Sequence, residues 1–209
     1  LEGVIQKSSN VGAAIIAKKT KKQKIYDTLT EFNIGSDLYV DFPSIQNGNI
    51  KDVKNWDDAL HGTVGYGYGF STTLLHLANA YNIIANHGRR IQLSYRKSDN
   101  VIIGEQVLQK QSSREILKMM RKAVEQGTGK NARIQNYSVA GKTGTVRLRM
   151  NGKYSETNHN AIFIGIAPAS KPEYVAAVIV RNPQNRPVSG GKNAAPIFSE
   201  FMSYSLNLL

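Results

Sequence analysis

The side chains best suited to chemistry lie in Val139-Ala140-Gly141-Lys142-Thr143-Gly144-Thr145-Val146. The stretch reads as a β-strand with one polar, small-residue face, its lysine followed by two hydroxyls around a bare glycine. Thr143 and Thr145 are two apart, so their hydroxyls share one side of the strand. Lys142 sets a cation beside them, which suits an anionic group such as a peptide carboxylate. Gly144 leaves a gap through which an extended substrate backbone can pair with the strand edge. Lys-Ser/Thr-Gly is expected about 0.2 times by chance at this composition, and about 0.01 times with a following Thr. The run is therefore a specific signal, set against the plainer reading of an exposed strand that ends at a turn.

Such a strand needs a sheet. Residues 138–150, 160–167 and 174–181 have strand character, joined by turns at Asn151-Gly152 and Ala169-Ser170-Lys171-Pro172. Connections this short predict an antiparallel meander. Pro196 at a helix first turn leads into Ile197, Phe198, Phe201, Met202 and Leu206, a C-terminal helix that covers the sheet. Before residue 138 the pattern is mostly helical. One helix is expected over 5–19, with Val11, Ala14, Ile15 and Ala17 or Lys18 on one face, and another over 25–32. A turn-rich excursion from Asp41-Phe42-Pro43 to Asp57-Asp58 follows, a loop with at most one short strand. Ser71 or Thr72 caps a helix ending at Gly88, residues 91–108 form a surface hairpin, and Ser112 or Ser113 opens a helix stopping at Gly127. Helices first, then an antiparallel sheet with a covering helix, is an α+β arrangement.

A chain of 209 residues buries a substantial core, and one domain, 1–209, is the expected count. Apolar content of 41% and charged content of 20% fit a globular protein, and no apolar run is long enough to span a bilayer. The chain opens at Leu1-Glu2-Gly3 without Met, which suggests a piece of something longer. Zero cysteines exclude disulfides, thiolate metal sites and cysteine nucleophiles. His61, His76, His87 and His159 lack metal-type spacing, so no metal or cofactor is expected. A net charge of +12 favours an anionic partner. The densest cluster, Lys18-Lys19-Thr20-Lys21-Lys22-Gln23-Lys24, reads as a solvated helix end, and without a recognition motif nucleic acid is not the expected partner.

Three further runs carry a resemblance. Lys7-Ser8-Ser9-Asn10-Val11-Gly12, the glycine–aromatic run Gly65-Tyr66-Gly67-Tyr68-Gly69-Phe70, and Gly190-Gly191 with Ala195-Pro196-Ile197-Phe198 accompany Lys142-Thr143-Gly144-Thr145. Together they resemble the serine penicillin-binding proteins, peptidoglycan D,D-transpeptidases related to the serine β-lactamases. The closest likeness is to the class B, monofunctional, division-type members. That family uses Ser-x-x-Lys, Ser-x-Asn and Lys-Ser/Thr-Gly. The resemblance covers essentially all of this chain but only the second half of the family's transpeptidase domain, so about three of the usual five strands are expected. Residues 1–137 would be its mostly helical cleft part and 138–209 the strands and last helix.

Ser-x-Asn alone carries no weight, since about 1.4 such triplets are expected by chance. Three occur: Ser8–Asn10, Ser98-Asp99-Asn100 and Ser205–Asn207. The first is preferred for its helix context and its surrounding run. Ser-x-x-Lys spacing occurs at Ser94-Tyr95-Arg96-Lys97, in a charged loop, and at Ser189-Gly190-Gly191-Lys192, where two glycines argue against a helix. In the family the nucleophile precedes Ser-x-Asn, and only seven residues precede Ser8. The nucleophile is therefore expected upstream of this chain, and the 209 residues alone are expected to be inactive.

The resemblance implies roles. Ser8 relays a proton to the leaving amine and is hydrogen-bonded to Lys142, and Asn10 holds an amide of the peptide. Thr143 and Thr145 bind the terminal carboxylate beside Gly144, and the Thr145 N–H forms half of the oxyanion hole. Tyr66, Tyr68 and Arg147 are further substrate-binding candidates. The implied partners are peptidoglycan stem peptides, the lipid-linked precursor, β-lactam antibiotics, the upstream part of the same domain and division-complex proteins. The implied location is the inner membrane, with an anchor outside this chain and a periplasmic catalytic domain. Two departures stand out: Arg186-Pro187-Val188-Ser189 replaces cleft aromatics, and Asn158-His159-Asn160, read as a strand-end turn, lacks one. The rivals are a non-catalytic basic module on the same fold and a serine β-lactamase. Glu105, Glu115 and Glu125 read as surface charges, which gives the latter no deacylating acid.

Overall fold

A computed structural model describes residues 1–38, 40, 45–97, 100–150, 152–184 and 186–208. It divides into two compact units, one of Leu1 with residues 9–114 and one of residues 2–8 with 115–209. The fold is α+β, with antiparallel pairing throughout the described strands.

In the first unit, α2 (Asn10–Lys19), α3 (Lys22–Glu31), α4 (Asp58–Val64) and α5 (Leu74–Ala85) accompany two small sheets. The unit also holds the start of α6 (Lys110–Glu125), whereas α1 (Glu2–Gln6) belongs to the second unit. Strand β1 (Asn49–Ile50) pairs with β2 (Phe70–Ser71), and β3 (Arg89–Ile91) pairs with β4 (Ile103–Gln106) as the expected hairpin. Helix α2 packs through small residues: a Cβ on Gly65, just past α4, would lie 2.6 Å from Ala17 Cβ and 2.8 Å from the Ala13 oxygen. The expected apolar face is thus displaced, and Val11 and Ile15 are 72% and 52% exposed. Close helix approach favours the alanine face and turns the larger side chains outward.

Helix starts differ from expectation by a few residues. Thr73, not Ser71 or Thr72, caps α5 by accepting from the His76 N–H at 3.3 Å. Helix α6 begins at Lys110, and Ser113 is a buried helical residue whose hydroxyl donates to the Ile84 carbonyl. Helix α4 was not foreseen. It is seven residues long and is started by Asp57, which accepts from the Leu60 N–H at 2.7 Å. Residues 41–44 of the turn-rich excursion, Ser98 and Asp99 of one Ser-x-Asn triplet, and Asn151 of one turn lie outside the described residues.

The second unit is the sheet β5 (Ala140–Met150), β6 (Lys153–Ala167) and β7 (Tyr174–Arg181), in the order β5-β6-β7. Helix α7 (Ala195–Leu206) carries a proline in its first turn and buries Phe198, Met202 and Leu206. The Phe198 ring lies 4.8 Å from that of Phe163, both side chains fully buried. Val124, Ala132, Ile134 and Val139 complete the same core. The strand β6 starts at Lys153, seven residues earlier than expected, and His159 pairs in register with Arg147. Asn158-His159-Asn160 is therefore strand and not a terminal turn. The pairing jumps from Tyr154 to His159. In the bulge the Ser155 hydroxyl accepts from the N–H groups of Thr157 and Asn158 at 3.2 and 3.0 Å, a side chain serving backbone donors where the register shifts.

Candidate active site

The strand β5 lies at the outer side of the described sheet, where alternate residues direct N–H and C=O groups away from β6. Register divides its side chains. Thr143 is opposite Phe163 and Thr145 opposite Ala161, while Lys142 is opposite Ile164 and Gly144 opposite Ile162. With the two-residue period of a strand, the hydroxyls and the ammonium leave β5 on opposite faces rather than forming one polar face. Lys142 Nζ also folds back to donate to the carbonyl oxygen of Thr143 at 2.9 Å.

On its own face Lys142 meets Ser8. Its Nζ donates to Ser8 Oγ at 2.6 Å, both residues belonging to the second unit. The expected single helix over 5–19 is broken there into α1 and α2, because Ser8 takes a left-handed backbone, φ 53°. Ser9, not Ser8, caps α2 by accepting from the Gly12 N–H at 3.1 Å. Capping by the neighbour leaves the Ser8 hydroxyl to the lysine. Burial pushes the Lys142 amine down from 10.5 to about 8, since a partly dehydrated ammonium is disfavoured. It still carries its proton for the most part at neutral pH. A protonated amine that donates to Ser8 Oγ leaves the Ser8 proton free to be given to another group.

Around the threonines the backbone closes in. Residues Gly190–Ala194 form a π-helical turn leading directly into α7, preceded by Ser189, whose hydroxyl accepts from the Lys192 N–H at 3.2 Å. This corrects the expectation that residues 189–192 are not helical: close backbone approach, to the Ile162 oxygen at Gly190 and the Thr128 oxygen at Gly191, calls for glycine within the π turn. The Ser189 hydroxyl serves as the cap of that turn. The Gly190 N–H donates to Thr145 Oγ1 at 3.3 Å. A Cβ on Gly190 would meet the Ile162 oxygen at 2.2 Å and the Gly144 oxygen at 2.6 Å, so only glycine fits. A Cβ on Gly144 would meet only Ile162 Cβ, at 3.5 Å.

Sequence reasoning passed over Thr128. Its Oγ1 lies 2.8 Å from Thr143 Oγ1. The signal available was a hydroxyl between two glycines, Gly127 and Gly129, just past the end of α6. Thr145 and Arg147 are exposed along β5. Asn10 is the exposed first residue of α2 in the first unit. Tyr66 and Tyr68 also lie in that unit and form an edge-to-face pair with centroids 5.7 Å apart. Of the other candidates, Ser94 has its hydroxyl bonded to the backbone of Arg96 outside any helix, and Ser205 bonds back to the Phe201 carbonyl within α7. Among the described residues no three His, Asp or Glu side chains are gathered to hold a metal ion. Among them, too, no helix is long and apolar enough to cross a membrane.

Residues 1–203 match the family model of the penicillin binding protein transpeptidase domain. The chain is 33% identical over 210 residues to the probable peptidoglycan D,D-transpeptidase PenA of Neisseria gonorrhoeae, covering 100% of this chain and 36% of that protein. It is 33% identical to the peptidoglycan D,D-transpeptidase FtsI of Escherichia coli K12, covering 97% of this chain and 34% of that one. The transpeptidase domain of penicillin-binding protein 3 from Burkholderia pseudomallei, solved without ligand, superposes with a TM-score of 0.92 at 34% identity, over 99% of this chain and 63% of that one. The chain thus spans about a third of the length of these curated relatives.

Proposed function

Because the chain belongs to the penicillin-binding protein transpeptidase family, we propose that it is the C-terminal portion of a single D,D-transpeptidase domain, residues 1–137 its mostly helical part and 138–209 its strands and last helix. The domain cross-links peptidoglycan by serine acyl transfer. The observation that carries the reading is the Lys142 Nζ to Ser8 Oγ hydrogen bond at 2.6 Å, beside an outer strand bearing Thr143 and Thr145.

A serine from outside these 209 residues gives its proton to the lysine of its own Ser-x-x-Lys motif and attacks the carbonyl of the penultimate D-Ala of a stem peptide. Charge developing on that oxygen is met by the Thr145 N–H. The C–N bond then breaks, and the departing D-Ala amine takes the Ser8 proton, Lys142 being in place to resupply it. Thr143 and Thr145 hold the terminal carboxylate, while Lys142, on the other face of β5, serves Ser8. An amine of a second stem peptide then attacks the acyl-enzyme carbonyl; the serine ester C–O bond breaks, the amine's proton passes to the released serine oxygen, and the new amide is the cross-link. For Asn10 as holder of a substrate amide, and for Tyr66, Tyr68 and Arg147 as further contacts, the support is the motif match.

The same serine is the target of β-lactams. The parent protein works on lipid-linked and polymeric peptidoglycan at the division site, with division proteins as partners, anchored in the inner membrane with this part periplasmic. The excess of 12 positive charges suits an anionic wall precursor and membrane surface. Incubation of the complete encoded polypeptide with a fluorescent penicillin tests this. A stable adduct on a Ser-x-x-Lys serine upstream of Leu1 is expected, and none on the 209 residues alone. A rapidly lost adduct would favour a β-lactamase, and no adduct a non-catalytic module.

A further inference from the structure

Thr128 stands where three elements of the second unit converge. Its N–H donates to the Gln6 carbonyl at 3.4 Å, two residues before Ser8. On one flank, a Cβ on Gly127 would come within 2.2 Å of that same Gln6 oxygen. On the other, Gly129 folds its N–H back to the Ala123 carbonyl of α6 at 2.9 Å. The π turn closes the third side, since a Cβ on Gly191 would lie 2.4 Å from the Thr128 oxygen. Asn131 Nδ2 also donates to the Gly191 carbonyl at 2.8 Å. Backbone packing on three sides thus holds a threonine whose side chain is exposed and whose hydroxyl lies 2.8 Å from Thr143 Oγ1.

A threonine hydroxyl has one proton to give. Were Thr143 to spend its proton on Thr128, it would have none for a carboxylate. We propose that Thr128 is a positioning residue for the acyl donor's terminal carboxylate: its O–H donates to Thr143 Oγ1, and the Thr143 proton is thereby aimed at the carboxylate. Hydrogen bonds in such a chain polarise one another, so the donor to Thr143 also strengthens what Thr143 gives. Because the Thr128 backbone also bonds Gln6, one short loop references both the carboxylate hydroxyl and the chain entering Ser8. The assignment rests on the transpeptidase reading and goes beyond it in naming a third hydroxyl and the direction of its bond.

The test uses the complete encoded polypeptide and two thioester acyl donors, one ending in a free carboxylate and one with that carboxylate as a primary amide. Thr128→Val keeps the branched shape at an exposed position, and Thr128→Ser keeps the hydroxyl. For Thr128→Val, kcat/KM for the carboxylate donor is expected to fall roughly tenfold, with the amide donor unchanged, and Thr128→Ser to recover the wild-type preference. Equal loss on both donors, or no loss on either, overturns the assignment while leaving the transpeptidase reading standing. Failure of the wild-type protein to turn over either donor overturns both.

Discussion

Lys142 Nζ donates to Ser8 Oγ at 2.6 Å, joining residues 134 positions apart in the chain. The bond holds a cation in a site that disfavours it, since burial lowers the amine to about 8. Below pH 8 the amine is charged in both the folded and the unfolded chain, and the folded state bears the full penalty. Between about 8 and 10.5 the unfolded chain binds a proton that the folded one has released, so stability rises with pH. Above 10.5 both are neutral and the penalty is gone. We predict that Lys142→Met removes this dependence. The wild type should gain up to about 3 kcal/mol on the variant between pH 7 and 11, read as the difference in unfolding free energy from denaturant melts. A flat difference would show that the amine is not perturbed.

Ser8 combines a needed hydroxyl with an unfavourable backbone at φ 53°. A left-handed non-glycine residue is disfavoured by roughly 1–2 kcal/mol. Ser8→Gly and Ser8→Ala both delete the hydroxyl, but only glycine relaxes the backbone. The prediction is that Ser8→Gly is more stable than Ser8→Ala by about 1 kcal/mol, while both lower acyl transfer in the complete protein by roughly 10²-fold or more. Equal melting of the two variants would argue against the strain, and undiminished turnover against the proton relay.

The sheet and its covering helix were legible because their signals are local. Pro196 marks a helix start, and Phe198 and Met202 recur on one face of it. The strand 174–181 was read to its observed ends. The Lys-Thr-Gly-Thr strand announced itself by composition. What escaped depends on distant partners. The break at Ser8 makes sense only once Lys142 is beside it, and no periodicity within residues 5–19 encodes that. Thr128 reaches Thr143 through a helix end and a strand that share no pattern. The start of β6 was missed because Ser155-Glu156-Thr157-Asn158 shows no alternation, its backbone being satisfied by a side chain. Helix α4 is too short to display a period.

Phe198 and Phe163 form the centre of the core that backs β6 and β7. Phe198 is 0% exposed, so truncation leaves a cavity with little chance of collapse. Phe198→Ala should destabilise by about 3–5 kcal/mol, while Phe198→Leu should lose noticeably less. A loss for Phe198→Ala below about 1 kcal/mol in equilibrium denaturation would place the core elsewhere.

Two glycines separate what the fold requires from what a ligand requires. At Gly190 an added Cβ would press on three backbone atoms, the Ile162 oxygen, the Gly144 oxygen and the Gly144 nitrogen, at 2.2, 2.6 and 2.9 Å. Backbone in a paired sheet cannot yield as a flexible side chain can, so Gly190→Ala should displace the π turn. The Gly190 N–H would then lose Thr145 Oγ1, and both stability and turnover should fall, the former by about 1–3 kcal/mol, as for overpacking. At Gly144 the same methyl meets only Ile162 Cβ at 3.5 Å, an ordinary contact. Its φ is not in the left-handed region, so alanine is free of backbone strain there. Gly144→Ala should therefore melt within about 1 kcal/mol of wild type yet lose acylation by a fluorescent penicillin at least tenfold, because the methyl occupies the approach of an extended ligand. Labelling at the wild-type rate in Gly144→Ala would show that ligands do not lie along β5 at this point.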